Sequence, residues 1–391
     1  MISCLQKLPP VAGFPSVKSI WRAWHKLTQS QHLVEDALKA EFGRELFFAA
    51  SGKAALYHLF RALRVETGKD AVGVAEYTCP DIAAAAIRAG MKVILLPLEP
   101  KTLEIDLQNV TEEQIQKCAA VVLSNLYGLL DSRELWSSRY PGLHLIDDAS
   151  QALLSSQKAE SEYGIVSFGR GKAICAVGGG AITGTREALS RLQLPHAALE
   201  DRRALVVRHY LTATSGRIFE RPALFSIPAS IPALHLGETQ VQLDFSLEQM
   251  STAQGVCALA SLHERISERE QMVKKAQQWH ERLAGLKIGE PFIARGFRFD
   301  HSIVPLRYPI ILPTERHRDA LLAHPRSARL GVSRSYPTPL DEFPSLRPML
   351  SGRSTNAARD VSGRLLTLPV HRFVTEDTME QTIRLFQTAL T

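Results

Sequence analysis

The chain has 391 residues, 45% of them hydrophobic and 22% charged, enough to bury a large core and too apolar for a disordered chain. Its 46 Lys and Arg against 40 Asp and Glu leave a formal charge of +6, with no run of five like charges, which favours an anionic small ligand or surface over nucleic acid. Five scattered cysteines, Cys4, Cys79, Cys118, Cys175 and Cys257, form no C-x-x-C pair, so the expectation is reduced thiols, a cytoplasmic setting and no metal site. The paired prolines in "MISCLQKLPPVAGFP" stand where a signal peptide needs an apolar core, and no stretch approaches the length of a membrane span.

In chain order, residues 1–29 read as an irregular arm with one short helix around Trp21 to Leu27, and a helix from about Gln31 to Phe42 follows. In "AASGKAALYHLFRALRVETG", Leu56, Leu59, Phe60 and Leu63 recur at i, i+3, i+4 and i+7, the period of an amphipathic helix, with Ser51 at the N-cap position. Then come short apolar runs: Ala71–Glu76, Lys92–Leu98, Ala119–Asn125, Leu143–Asp147, Gly164–Phe168 and Gly179–Thr183. "PDIAAAAIRAG" and "TEEQIQK" read as helices between them. Strands without polar alternation, joined by helices, predict a mainly parallel sheet covered on both faces.

Beyond about Arg203 the pattern changes. A helix (Arg203–Thr214) leads into the proline-rich, apolar stretch 222–236, expected to be buried against its own fold or a sister subunit; a membrane- or partner-touching loop is the alternative. A long helix (about Leu247–Leu283), a strand pattern in "SIVPLRYPIIL", a helix after Pro313 and a last helix from Thr375 make a second α/β unit. The predicted division is 1–245, an N-terminal arm and large domain, and 246–391, a smaller domain.

Ligands of open parallel sheets gather at the carboxyl ends of the strands, and three places there carry chemistry. At Ser51-Gly52-Lys53, free amides at a helix start, a glycine and a cation form a phosphate seat, or only a plain cap. In "LIDDASQAL", Asp147 reads as a cap for the next helix, while Asp148 is the candidate to hold a cationic ring nitrogen, with Gln151 three residues on. In "SFGRGKAICAVGGG", Lys172 either snorkels to water or, losing hydration among apolar neighbours and glycines, exposes a neutral amine able to form a Schiff base. In this order, a phosphate seat, a strand-end carboxylate and a glycine-flanked lysine are what pyridoxal phosphate requires.

From about residue 30 to its end the chain resembles the DegT/DnrJ/StrS family of sugar aminotransferases, within fold type I of pyridoxal-phosphate enzymes. "SGKAAL" is similar to its S-G-T-x-A-L loop, "EYTCPDIAAAAIRAG" to its P-x-x-T segment, and "SNLYGLLDS" to H-L-Y-G, with Asn125 for His. "IDDASQA" is similar to E-D-A-A-Q-A, "SFGRGK" to S-F-x-x-x-K and "GGGAITG" to the glycine pair that follows. "GVSRSYPTPL" and "SGRLLTLPVHRFVTED" resemble its small-domain segments. The resemblance implies that Asp148 partners the pyridine nitrogen, Gln151 contacts the ring's phenolic oxygen, Ser167 touches the phosphate and Lys172 binds the cofactor covalently.

Three departures stand out. Cys79 follows Thr78 where the family stacks an aromatic on the ring, so either Tyr77 turns in or softer packing holds it. Lys53 replaces the loop's threonine. "LEQMS" stands for N-Y-R-M-S, with Leu247 and Gln249 where a second subunit's Asn and Arg would reach the phosphate; Lys53 and Arg170 are the expected replacements. The implied function is a homodimeric, pyridoxal-phosphate-dependent transaminase of a nucleotide-linked sugar in polysaccharide biosynthesis, with glutamate as donor. Alternatives are another reaction or a non-sugar acceptor on the same frame, or a binding protein that has lost turnover. A nicotinamide dehydrogenase is disfavoured because no G-x-G-x-x-G follows the first strand. Arg334, Tyr336 and His371 are candidates for substrate contact, with exposed structural roles equally open.

Overall fold

Short runs of Val, Ile, Leu, Phe and Ala pair into one large sheet in a computed structural model, which describes residues 6–27, 31–154, 161–195, 199, 203–284, 286 and 304–389. The strands are β1 (Glu45–Ala49), β2 (Ala71–Ala75), β3 (Lys92–Leu96), β4 (Cys118–Leu123), β5 (His144–Asp148), β6 (Tyr163–Ser167), β7 (Gly180–Gly184), β8 (Arg307–Ile311), β9 (Leu350–Ser351) and β10 (Leu365–Pro369). Eight lie in the order β1-β7-β6-β5-β4-β2-β3-β9, and β8 with β10 forms a separate antiparallel pair. Only β7 runs against its neighbours, pairing antiparallel with both β1 and β6; the other pairings in the large sheet are parallel.

The absence of polar alternation has a direct cause, because both faces are buried. Phe47, Ile165 and Ile182 pack on one face with Leu59 and Leu63 of the helix Gly52–Thr67. Phe48, Val166 and Ala181, one residue along, pack on the other with Val34, Leu38 and Met250. Each such fully buried Leu, Ile or Phe contributes about 1.5–3 kcal/mol relative to exposure.

Helix ends follow local chemistry. Ser51 caps Gly52–Thr67 by accepting the Ala54 N–H, and Gly68 closes it in the left-handed region at φ 68°. The long helix begins at Thr252 rather than near Leu247. Ser251 and Gln254 explain this: the Gln254 N–H donates to the Ser251 hydroxyl at 3.2 Å, and the Ser251 N–H to the Gln254 side-chain oxygen at 2.9 Å, a reciprocal cap that fixes the start. That helix runs to Ala284 and docks the second unit through Trp279, buried, whose indole N–H donates to the Pro369 carbonyl at 2.9 Å.

Four features were not in the sequence reading. Strand β1 lies between the helix ending at Phe42 and the Ser51 cap, where the sequence pattern assigns no element. The helix from Arg203 runs five residues beyond Thr214, to Phe219. The stretch 222–236 is not buried against its own chain: Ile227, Ile231, Leu234 and Leu236 are exposed. Finally, β9 comes from the C-terminal part of the chain yet joins the large sheet beside β3, and one core runs from Leu38 and Phe168 to Leu368 and Phe386. The division near residue 245 therefore stands as a proposal, with β9 and the N-terminal arm crossing it.

Candidate active site

The carboxyl ends of β2, β4, β5 and β6 open towards one side of the sheet, and the turns that follow them supply the polar side chains. β1 runs into Ser51 and the start of the 16-residue helix Gly52–Thr67, whose first amides lack intrahelical acceptors and carry the positive end of the dipole. A methyl group on Gly52 would stand 2.7 Å from Ser167 Cβ and 3.0 Å from its hydroxyl oxygen. Only glycine fits there, and the helix start is pressed against the end of β6.

The next strand over ends in Asp148, 8% exposed, whose carboxylate accepts the Ser150 N–H at 3.0 Å. Burial raises its pKa, and the charge of Lys172 with the Ser150 hydrogen bonds pulls it back. Lys172, half-buried, rides on the loop joining β6 to β7. The loop is closed by the Phe168 carbonyl, which accepts from Ala176 and Gly178, and by the Phe168 N–H, which donates to Gly179 at 3.0 Å. Gly178 and Gly179 turn back at φ 125° and 89°, and the Gly179 N–H reaches the Ala50 carbonyl at 2.8 Å. Lysine loop and helix start are thus tied together beside Asp148.

Cys79 faces this cleft. Its thiol is pushed up to about 11, first by burial and then by the charge of Asp81, with Lys172 opposing and Asp148 adding to the rise, so at neutral pH it is uncharged. Tyr336, from the C-terminal part of the chain, is brought to the same place. Its hydroxyl accepts from Gln151 Nε2 at 2.9 Å and lies near the Cys79 thiol. Gln151 is used at both ends, its side-chain oxygen accepting the Tyr127 N–H at 3.0 Å.

Other expected residues lie differently. Tyr77 does not turn towards Asp148. It is buried among Leu98, Leu126 and Tyr127, with its hydroxyl donating to the Tyr336 carbonyl at 3.2 Å. Lys53 is 2.7 Å from Asp81 and lies over the Phe245 ring, so its charge is already shared. Arg170 is exposed and pairs with no carboxylate among the described residues. Leu247 and Gln249 flank Glu248, whose carbonyl accepts the Ala50 N–H of the same chain at 2.9 Å.

Asp147 caps no helix among the described residues; it accepts from Asn125 Nδ2 and the Ser161 N–H, with Arg133 at 3.4 Å. Arg334 is exposed, and His371 is fully buried away from solvent, hydrogen-bonded to the Pro9 carbonyl at 2.8 Å. Glu76, which the sequence reading passed over, accepts from Leu98, from the Thr355 N–H at 2.7 Å and from the Thr355 hydroxyl. It pins residues of the second unit over the strand ends. An acid closing an apolar strand was the available signal.

The sequence model of the DegT/DnrJ/EryC1/StrS aminotransferase family matches residues 21–387. The chain belongs to this family. Its members are pyridoxal-phosphate-dependent, so this DegT/DnrJ/EryC1/StrS protein is an aminotransferase of that cofactor class. Solved structures of similar fold include Helicobacter pylori PseC, an aminotransferase involved in the biosynthesis of pseudaminic acid. It is 15% identical, with a TM-score of 0.71 over 97% of this chain and 99% of that one. NtdA from Bacillus subtilis, with bound PMP, is 16% identical with a TM-score of 0.67, over 96% and 82%. DesI, solved in the presence of its TDP-sugar product, is 16% identical with a TM-score of 0.69, over 100% and 94%. No curated protein matches the chain in sequence. Among the described residues no helix is long and apolar enough to cross a membrane, and no group of three or more His, Cys, Asp or Glu could hold a metal ion.

Proposed function

We propose that this chain transfers an amino group from glutamate to a keto group of a nucleotide-linked sugar. The observation that carries the reading is the juxtaposition of Lys172, Asp148 and the Gly52–Ser167 contact at one end of one sheet. These residues fit the cofactor. The close approach of Gly52 to Ser167 sets a serine hydroxyl beside the free amides of a helix N-terminus, a donor set suited to a phosphate. Bound there, pyridoxal phosphate supplies an electron-withdrawing pyridinium ring and an aldehyde.

The chain's own side chains divide the remaining work. Asp148 holds the positive charge on the ring nitrogen. Lys172 would hold the aldehyde carbon, and its amine, once freed, would take up and return a proton. The amides of Gly52 and Lys53 and the hydroxyls of Ser51 and Ser167 bind phosphate oxygens. Arg170 supplies the compensating cation, since Lys53 is already paired with Asp81. Cys79 and Tyr336 would pack against the ring in place of a stacked aromatic, and Gln151 fixes the Tyr336 hydroxyl. The TDP-sugar product of DesI supports a sugar-nucleotide acceptor. Exposed apolar residues on the helix Arg203–Phe219 and on 222–236 (Val207, Leu211, Ile227, Ile231) support a homodimer, and four unpaired cysteines among the described residues support a reducing, cytoplasmic setting.

Cys79 in the cleft and the sharing of Lys53's charge favour one second reading, a family member that binds the cofactor without turning over. One experiment separates the two. The purified protein is expected to show the visible absorption of lysine-bound cofactor and to lose it on addition of glutamate, with borohydride fixing the label on Lys172 beforehand. A band indifferent to amines leaves the binding reading. The absence of a band, or label on another lysine, defeats both.

A further inference from the structure

Residues 7–16 form no helix or strand, yet their backbone is held nearly residue by residue. The Lys7 and Leu8 N–H groups donate to the carbonyls of Pro222 and Arg329 at 2.9 and 2.8 Å. The Pro9 carbonyl takes His371, Pro10 takes Arg307, Ala12 takes Arg265 at 3.0 Å and Gly13 takes the Ser261 hydroxyl at 2.8 Å. Phe14 is gripped at both ends, its carbonyl by Arg217 at 3.1 Å and its N–H by Glu220 at 3.2 Å. Pro9, Pro10 and Pro15 remove backbone donors that would otherwise need partners and fix the local φ. The arm is an inlay set into the long helix, the Arg203–Phe219 helix and the β8–β10 unit.

At its centre the inlay meets the lysine loop. A methyl group on Gly13 would stand 3.0 Å from the Lys172 carbonyl oxygen and 3.3 Å from Cys175 Cβ. Ser261 secures the same point from both sides, donating to Gly13 and accepting the Cys175 N–H at 3.1 Å. The loop has little regular support where this wall touches it: Gly169 and Gly171 flank Arg170, and the Lys172 N–H makes only a long 3.4 Å bond to the Gly169 carbonyl. We propose that Gly13, clamped by Ser261, is a positioning residue that sets the height of the Lys172 backbone and hence where the lysine amine meets the cofactor.

The inference rests on the reading of Lys172 given above. It makes the arm part of the catalytic apparatus through the backbone of the lysine loop. Gly13 is not in the left-handed region, so alanine is permitted by the backbone and only the contact is at stake. A contact of that length obliges the neighbour to give by a few tenths of an ångström, and reactive geometry is sensitive to displacements of that order.

Gly13→Ala, Ser261→Ala and a control, Glu264→Gln, test it. Glu264 accepts the Ser16 N–H at 3.0 Å, at the other end of the arm. Three quantities are read: the pH midpoint of the lysine-bound cofactor's visible band, the cofactor dissociation constant, and the Tm of the cofactor-free protein. Gly13→Ala is expected to move the midpoint by about half a pH unit and weaken retention about fivefold. Glu264→Gln is expected to lower Tm with the midpoint unmoved. Should Gly13→Ala not fold, Ser261→Ala is read by the same criteria. Wild-type midpoint and affinity in the folded variants, whatever the Tm, overturn the role of the arm. A wild-type protein without a band overturns the Lys172 reading, and the arm proposal with it.

Discussion

Asp148 carries two opposed demands. Burial disfavours its charge, while Lys172 and the Ser150 hydrogen bonds favour it, and a cationic ring nitrogen would add to the second side. Asp148→Asn keeps the shape and removes the charge, so turnover is expected to fall on the order of 100-fold or more, with Tm little changed, measured by steady-state kinetics beside thermal melts. Gly52→Ala tests the other wall. The added methyl, 2.7 Å from Ser167 Cβ, is expected to cost about 1–3 kcal/mol of stability and to weaken cofactor binding, read by denaturant melts and cofactor titration. At this scale the sequence was informative where a residue's own neighbours in the chain decide its chemistry, as for Lys172 among glycines or Asp148 at the end of an apolar run. It was silent where the partner lies far away. Tyr336 meets Gln151 across 185 positions, and Lys53 meets Asp81 through a different helix, so neither contact leaves a local trace.

Among the elements, periodic and well-capped segments were legible and the others were not. The helix from Gln31 to Phe42 and the strands β2 to β7 lie within a residue or two of expectation. Strand β1 stands directly before the Ser51 cap with no helix or turn segment to set it apart, and its ladder partner, β7, lies more than 130 positions on. The segment preceding the last helix was misjudged for a similar reason. His371, a candidate for substrate contact or for an exposed structural role, is buried, and its tautomer shows what it does. Nδ1 accepts the Phe373 N–H at 3.3 Å, so Nε2 carries the proton donated to Pro9. Burial, with Arg265, Arg307 and Lys275 close by, holds its pKa well below the usual histidine value. The unfolded chain then binds the extra proton as pH falls below about 6.5. His371 therefore contributes stability that is present above that pH and lost below it, with a slope of at most about 1.4 kcal/mol per pH unit. Melts between pH 7.5 and 5.5 are expected to show this acid loss, and His371→Gln to flatten it.

For the molecule as a whole, the order of strands and helices could be read, but not which surfaces another chain covers. The stretch 222–236 has the composition of a core and the exposure of a surface, with Ile227 and Ile231 both nearly half exposed. Under the homodimer proposal, Ile227→Glu with Ile231→Glu is expected to weaken association about tenfold or more, checked by sedimentation across concentration; an unchanged dimer would place the interface elsewhere. Composition alone cannot make this distinction, because an apolar run is buried by whatever lies nearest, its own fold or another copy.

Strands β1 and β7 share a ladder from Glu45–Gly184 to Ala49–Gly180. One leads out to Ser51 and Gly52, the other leads in from Lys172. Under the proposed function, the two grips on the cofactor are neighbouring rungs of one hydrogen-bonded frame and cannot part while that frame is intact. Spontaneous escape of the prosthetic group should then follow the steep temperature dependence of unzipping an interior sheet, instead of the shallow one of a gate.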